Sequence, residues 1–213
     1  MTDLAARLTE RAHQQDLVVS DALAAKLVVY LEVLLHWNAK INLTSLSDPD
    51  ETVDRLLLEP VAAARYLPTA SRLVDLGSGG GSPALPLAFA LGASELVMVE
   101  SRTRKAAFLR EAIREVGVAA TVETERFEQV AVQPARQGRF DIVSIRAVRQ
   151  DASTLSAAAA LLRPSGCVAL FRGPDGADRV ELPPDSGLRW RRTVPLLKST
   201  RSRLSLVFHV EHP

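Results

Sequence analysis

The chain has 213 residues, a net charge of +1 and 47% hydrophobic residues, enough for one domain with a sizeable core or one domain with an extension. A near-balanced charge excludes a global electrostatic field for nucleic acid, so any such site must be a local patch. A single cysteine, Cys167, excludes an internal disulfide, and no Cys/His cluster has zinc spacing. The amino terminus is polar and has no signal-peptide core, and no apolar run is long enough to span a bilayer, so a cytoplasmic protein without metal or membrane attachment is expected.

From Leu4 to about Leu67 the pattern is helical. Leu23, Leu27, Tyr30, Leu31 and Leu34 recur at three and four, the signature of one buried helix face. Ser20 and Asp21 offer N-caps before it. A break at 42–50 precedes a second helical run, Glu51 to Tyr66, with Pro60 placed to kink or end it.

A strand then begins at Arg72 and runs through Asp75 into a glycine-rich turn, with a helical run from Ala84 to Leu91 behind it. Gly77, Gly79 and Gly81 form G-x-G-x-G, where no Cβ keeps a ligand from the backbone. Such a strand-to-helix turn is where α/β sheets bind nucleotide-like ligands. The next strand ends at Glu100, 23 positions after Gly77, where a carboxylate is placed for ribose hydroxyls. Ser82 stands where a dinucleotide fingerprint wants glycine or alanine, and the P-loop lysine is missing. The spacing suits a ligand with a ribose and no pyrophosphate, such as S-adenosylmethionine. The competing reading is a turn that only joins strand to helix.

Beyond it the chain alternates: helix Thr103 to Val116 closed by Gly117, strand Ala120 to Glu123, a polar loop with Phe127 and Glu128, and strand Phe140 to Ile145. A helix from Asp151 to Leu162, stopped by Pro164 and Gly166, leads to strand Cys167 to Phe171. This β-α-β-α order predicts a mainly parallel sheet. After a loop from Gly173 to Gly187, two β runs, Leu188 to Leu197 and Leu204 to Val210, are linked too briefly for a parallel crossover and should pair antiparallel.

The run Leu35 to Thr44 contains Trp37-Asn38 and Asn42-Leu43-Thr44, which resembles the W-N-x-x-x-N-L-T signature of the RsmG (GidB) family. Asp75-Leu76-Gly77-Ser78-Gly79 is similar to that family's D-[VLI]-G-[ST]-G. Glu100-Ser101, with Lys105 and Phe108-Leu109-Arg110, is similar to its [DE]-S-x-x-K-x-x-F-L-R. Ser144-Ile145-Arg146-Ala147 stands at its S-R-A with one residue inserted or substituted, and Leu170 to Gly173 at its A-x-K-G, with Arg172 for lysine. Leu56 stands at a usual histidine, Pro60 at a usual serine, and Ser82-Pro83-Ala84 at a more apolar residue, proline and glycine.

The resemblance implies a class I S-adenosylmethionine-dependent methyltransferase fold (Rossmann-like, α/β). Its sheet would be seven-stranded and mainly parallel, with an antiparallel carboxy-terminal hairpin. A helical extension over residues 1–68 would join a core over 69–213 in one methyltransferase domain. It implies methylation of guanine N7 in the 530 loop of bacterial 16S rRNA, on naked RNA or the small ribosomal subunit; separately, a monomer is expected, though the sequence does not fix the oligomeric state. N7 carries a free lone pair and no proton, so no general base is needed and no catalytic residue is assigned. The barrier falls by in-line placement, an effect that can reach roughly 7–11 kcal/mol.

The resemblance places Gly77, Ser82, Phe127, Glu128 and Arg146 on the cofactor, beside Asp75, Gly79, Gly81 and Glu100 of the loop and its acid. Phe127 suits the adenine, with core packing as the alternative. Arg146 suits the methionine carboxylate or a substrate phosphate, with a structural ion pair to Asp75 or Glu100 as the alternative. For RNA the candidates are Asn42, Arg172 and the stretch Arg189, Arg191, Arg192, Lys198, Arg201 and Arg203, which no acid interrupts. A charge-protected edge strand is the other reading of that stretch. Different classes remain: a methyltransferase for another RNA base or a small molecule, an NAD-binding oxidoreductase, and a non-catalytic RNA-binding module.

Overall fold

The computed structural model describes residues 2–69, 72–176 and 179–210. Helices α1 (Thr2–Gln14), α2 (Asp21–Asn38), α3 (Pro49–Val53) and α4 (Glu59–Ala64) form the extension, with a single π-turn (Asp54–Leu58) between the last two. The sheet comprises β1 (Arg72–Leu76), β2 (Glu95–Val99), β3 (Ala120–Glu123), β4 (Phe140–Arg146), β5 (Leu162–Arg172), β6 (Leu188–Pro195) and β7 (Arg203–His209). Between them lie α5 (Ala84–Leu91), α6 (Thr103–Val116), α7 (Phe127–Ala131) and α8 (Ala152–Leu161).

The seven strands run in the order β3-β2-β1-β4-β5-β7-β6. The first five in the order are parallel, and β7 inserts antiparallel between β5 and β6. Period-two alternation divides the side chains between two cores. Leu73, Leu96, Met98, Ile142 and Ala169 face the extension with α5 and α6. Val74, Leu76, Val97, Val99 and Val143 face the side of α8. Strands buried on both faces read as near-continuous apolar runs, as these do.

The expected face of α2 is correct at its centre. Leu27, Tyr30, Leu31 and Leu34 are buried, and Ser20 accepts the Leu23 N–H at 3.3 Å as N-cap. Burying each such side chain contributes roughly 1.5–3 kcal/mol. Trp37 meets Phe108 of α6 edge-on, with ring centroids 6.1 Å apart. Gly92 and Gly117 close α5 and α6 in the left-handed region.

Three local expectations are corrected. The stretch at Phe127 and Glu128 is the start of α7, not a loop. Pro164 and Gly166 do not separate helix from strand: α8 ends at Leu161 and β5 starts at once, absorbing them beside a register shift between Phe140 and Ile142. Pro60 does not end the second helical run. It sits in the first turn of α4, where its missing N–H is tolerated.

Candidate active site

A cavity of about 560 Å³ opens at the carboxyl ends of β1, β2 and β4, the ligand-binding edge of such a sheet. Gly77, Gly79 and Ser82 line it beside Glu100, Phe127 and Arg146. Residues from Leu34 to Val148, up to 114 positions apart, thus converge on one space.

The glycine loop is held from three sides. The Gly77 and Ser78 N–H groups donate to the Val99 carbonyl at 2.9 and 3.0 Å, tying the loop to β2. One Glu100 oxygen accepts the Gly79 N–H at 2.9 Å and the other accepts the Arg102 N–H at 2.8 Å. Each carboxylate oxygen keeps a second lone pair for a ribose hydroxyl. The third side was not foreseen: the Tyr30 hydroxyl, on α2, donates to the Gly80 carbonyl at 2.6 Å.

The three glycines of the motif do different jobs. Gly77 has φ +75°, and a Cβ there would lie 2.4 Å from a Val148 methyl. Gly79 has φ +51°, and its nearest neighbours would be no closer than 3.7 Å, so it faces open cavity. Gly81 has φ +83°, and its Cβ would press on Tyr30, Leu85 and Leu109 at 3.1–3.3 Å. It is buried packing, away from the cavity lining.

The W-N…N-L-T segment also reaches the cavity. Asn38 accepts the Leu43 and Thr44 N–H groups, both at 2.9 Å, and the turn so formed brings Leu43, Thr44 and Ser45 into the lining. Trp37 packs the extension on the core, whereas Asn42 is exposed and outside the lining.

Asp75 lies under the loop rather than in the cavity. It is buried and accepts from Ser144 Oγ at 2.5 Å, across the β1–β4 register. Burial pushes its carboxyl up to about 6, against the opposing Ser144 hydrogen bond. Phe127 divides its surface between the cavity and the second core, so both readings of it hold in part. Glu128 is exposed and outside the lining.

Arg146 ends β4 with its charge already matched. Its ion-pair partner is Glu59 of α4, neither Asp75 nor Glu100. Its Nη1 donates to the Arg55 carbonyl at 2.6 Å and to Ser82 Oγ at 3.1 Å, and its guanidinium carbon lies 4.8 Å from the centre of the Phe171 ring. Burial lowers its pKa, with Glu59 opposing that shift. The π-turn explains the carbonyls. The Glu59 N–H donates to Asp54 rather than Arg55, and Pro60 has no N–H to offer, so the carbonyls of Arg55 and Leu56 are free for Arg146 and Ser82 Oγ, the latter at 2.8 Å. Single π-turns are frequent at functional sites.

The basic carboxy-terminal stretch is not one patch. Arg189 stands near the end of the sheet opposite the cavity, whereas Arg203 pairs with Arg172 at the cavity end. A bulge between Trp190 and Arg192 breaks the expected alternation. It leaves Arg191 over Phe208 at 5.2 Å and Arg192 over Tyr66 at 5.8 Å, both toward the first core. Lys198 and Arg201 are exposed in the β6–β7 link, and Lys198 makes a loose surface pair with Asp16 at 3.7 Å. Sequence reasoning missed Arg102, Lys105 and Arg126, which line the cavity mouth. Lys105 entered only as the lysine of a family motif, without a role, and Arg102 fell on one of that motif's unspecified positions.

Among the described residues no helix is long and apolar enough to cross a membrane, and no His/Cys/Asp/Glu group could hold a metal ion.

Sheet order, glycine turn and cavity together define a class I, Rossmann-like methyltransferase fold. The O-methyltransferase of Bacillus cereus, solved with SAH, superposes with a TM-score of 0.56 at 17% identity, covering 85% of this chain and 90% of that one. The family model for rRNA small subunit methyltransferase G (GidB) matches residues 23–186, and the chain belongs to that family. Ribosomal RNA small subunit methyltransferase G of Stenotrophomonas maltophilia (strain K279a) is 38% identical over 177 residues, 82% of this chain and 80% of its own length. The protein of the same name from Rhodospirillum centenum is 41% identical over 162 residues, 76% of this chain and 72% of its own.

Proposed function

We propose that this chain transfers the methyl group of S-adenosylmethionine to N7 of a guanine in the 530 loop of 16S rRNA. Family membership sets the reaction class. The observation that carries the cofactor is the cavity in which Gly79, Glu100 and Phe127 meet. Glu100 takes the ribose, Phe127 covers the adenine, and the open face of Gly79 lets the ligand approach the backbone. The target guanine enters from the Ser82 and Arg146 side. No group in the cavity needs to remove a proton, so catalysis is placement of N7, methyl and sulfur in line. Following a labelled methyl group from S-adenosylmethionine into 16S rRNA tests the assignment. An NAD-binding oxidoreductase would give no transfer.

The extension and the core work as one methyltransferase unit, a reading supported by the Tyr30 hydrogen bond to the glycine loop and the Asn38 turn in the cavity wall. RNA phosphates are met at the cavity end of the molecule, by Arg102, Lys105 and Arg126 at the mouth and by Lys198 and Arg201 in the β6–β7 link. Each phosphate contact adds about 0.7–0.9 to the slope of log affinity against log salt. Replacing Lys198 and Arg201 with alanine should therefore lower RNA affinity and flatten the slope by about 1.5, while Arg189→Ala, at the opposite end, changes neither. Cofactor affinity stays constant in both. Fluorescence titration of a 530-loop RNA at several salt concentrations decides, and a soluble Lys198/Arg201 variant with the wild-type slope rules out the role. Edge protection alone would instead give aggregation with RNA binding intact.

A further inference from the structure

Arg146 raises a difficulty. S-adenosylmethionine carries a positive sulfonium, and methylation at N7 leaves a positive base. A lone guanidinium in the same cavity would repel both. Coulomb repulsion between unit charges at cavity distances, in a medium of effective dielectric near 20, amounts to about tenfold or more in affinity.

Glu59 removes the difficulty. Glu59 is 2% exposed, and its carboxylate ion-pairs with Arg146 from 87 positions away in the chain. Its second oxygen, Oε1, is buried and has no hydrogen-bond partner among the described residues. Buried polar atoms without partners are few in native proteins and call for a reason. Arg146 is already oriented without Glu59, by the Arg55 carbonyl, Ser82 Oγ and the Phe171 ring. A neutral side chain would serve if orientation were the whole task. What only a carboxylate adds is the compensating charge.

We infer that Glu59 prepares the cavity for methyl transfer through its charge: it cancels the charge of Arg146, so that the cavity accepts a cationic methyl donor. The π-turn and Pro60 belong to the same arrangement, because they free the Arg55 carbonyl that fixes the other side of the guanidinium. The inference rests on the S-adenosylmethionine reading above.

The test compares S-adenosylmethionine with S-adenosylhomocysteine, which has the same adenosine and amino acid and a neutral sulfur. Calorimetry on the full chain measures both affinities. Glu59→Gln keeps an acceptor for Arg146 and removes the charge. It should weaken S-adenosylmethionine about tenfold and S-adenosylhomocysteine less than about twofold. Glu59→Asp, which restores the charge, should bring the ratio back toward wild type. Arg146→Gln leaves the Glu59 charge unopposed and should move the ratio the other way, favouring S-adenosylmethionine. That variant keeps the inference open to refutation if Glu59→Gln does not fold. Equal losses for the two ligands, or a ratio that does not move in either variant, would overturn it while leaving the cofactor assignment standing. A wild-type chain that binds neither ligand overturns the cofactor assignment itself.

Discussion

Gly79→Val is expected to abolish S-adenosylmethionine binding in a chain that still folds, and Gly81→Val to cost the chain more stability. The two positions are two residues apart and both have positive φ, so each valine carries a backbone cost of about 1–2 kcal/mol. They differ in what the new side chain meets. At Gly79 the nearest atoms are at 3.7 Å or beyond, so the valine stands in the cavity where the ligand belongs. At Gly81 the Cβ already touches Tyr30 at 3.1 Å, and overpacking adds about 1–3 kcal/mol. With roughly 2–4 °C of Tm per kcal/mol in a domain of this size, Gly79→Val loses about 2–8 °C and Gly81→Val about 4–20 °C. Calorimetric titration and thermal melts on the two variants check this. Wild-type affinity in folded Gly79→Val would remove the glycine loop from the cofactor site.

Glu100→Ala should weaken S-adenosylmethionine and S-adenosylhomocysteine alike, because both carry the same ribose. Hydrogen bonds to a charged group are worth about 1.5–3 kcal/mol, or roughly 10- to 150-fold in affinity. The structure adds a second source of loss, since the same carboxylate holds the Gly79 and Arg102 N–H groups. Glu100→Gln separates the two sources: it keeps one acceptor oxygen for the backbone and weakens the ribose contact. An intermediate loss is therefore expected for Gln. Affinities within twofold of wild type for Glu100→Ala would place the ribose elsewhere. This response, the same for both ligands, contrasts with the charge-dependent response expected at Glu59.

The parallel strands and their helices were legible because period-two and period-3.6 patterns are local properties. So was the position of Glu100, which follows from one βαβ unit. The Tyr30 and Gly80 contact was not, because it joins positions 50 apart and nothing near Tyr30 distinguishes it from the other buried residues of its helix face. The partner of Arg146 was misplaced for the same reason. Strand order brings Asp75 and Glu100 close in sequence logic, but the π-turn supplies Glu59 from outside the sheet. The carbonyls that the π-turn frees find their partners, Arg146 and Ser82, only in the folded chain. In the carboxy-terminal stretch the charges were visible, while the bulge at Arg191 that redistributes them was not.

The position of the methyl group on 16S rRNA is the decisive measurement. The purified chain, labelled S-adenosylmethionine and 16S rRNA lacking the modification, naked or in small subunits, are incubated together, and the label is mapped by 7-methylguanine-specific strand cleavage. Cleavage at a single guanine of the 530 loop, absent without the chain and absent with Gly79→Val, is the expected result. Label on another base, at another atom of guanine, or no transfer to either form of the RNA would contradict guanine-N7 methylation of the 530 loop.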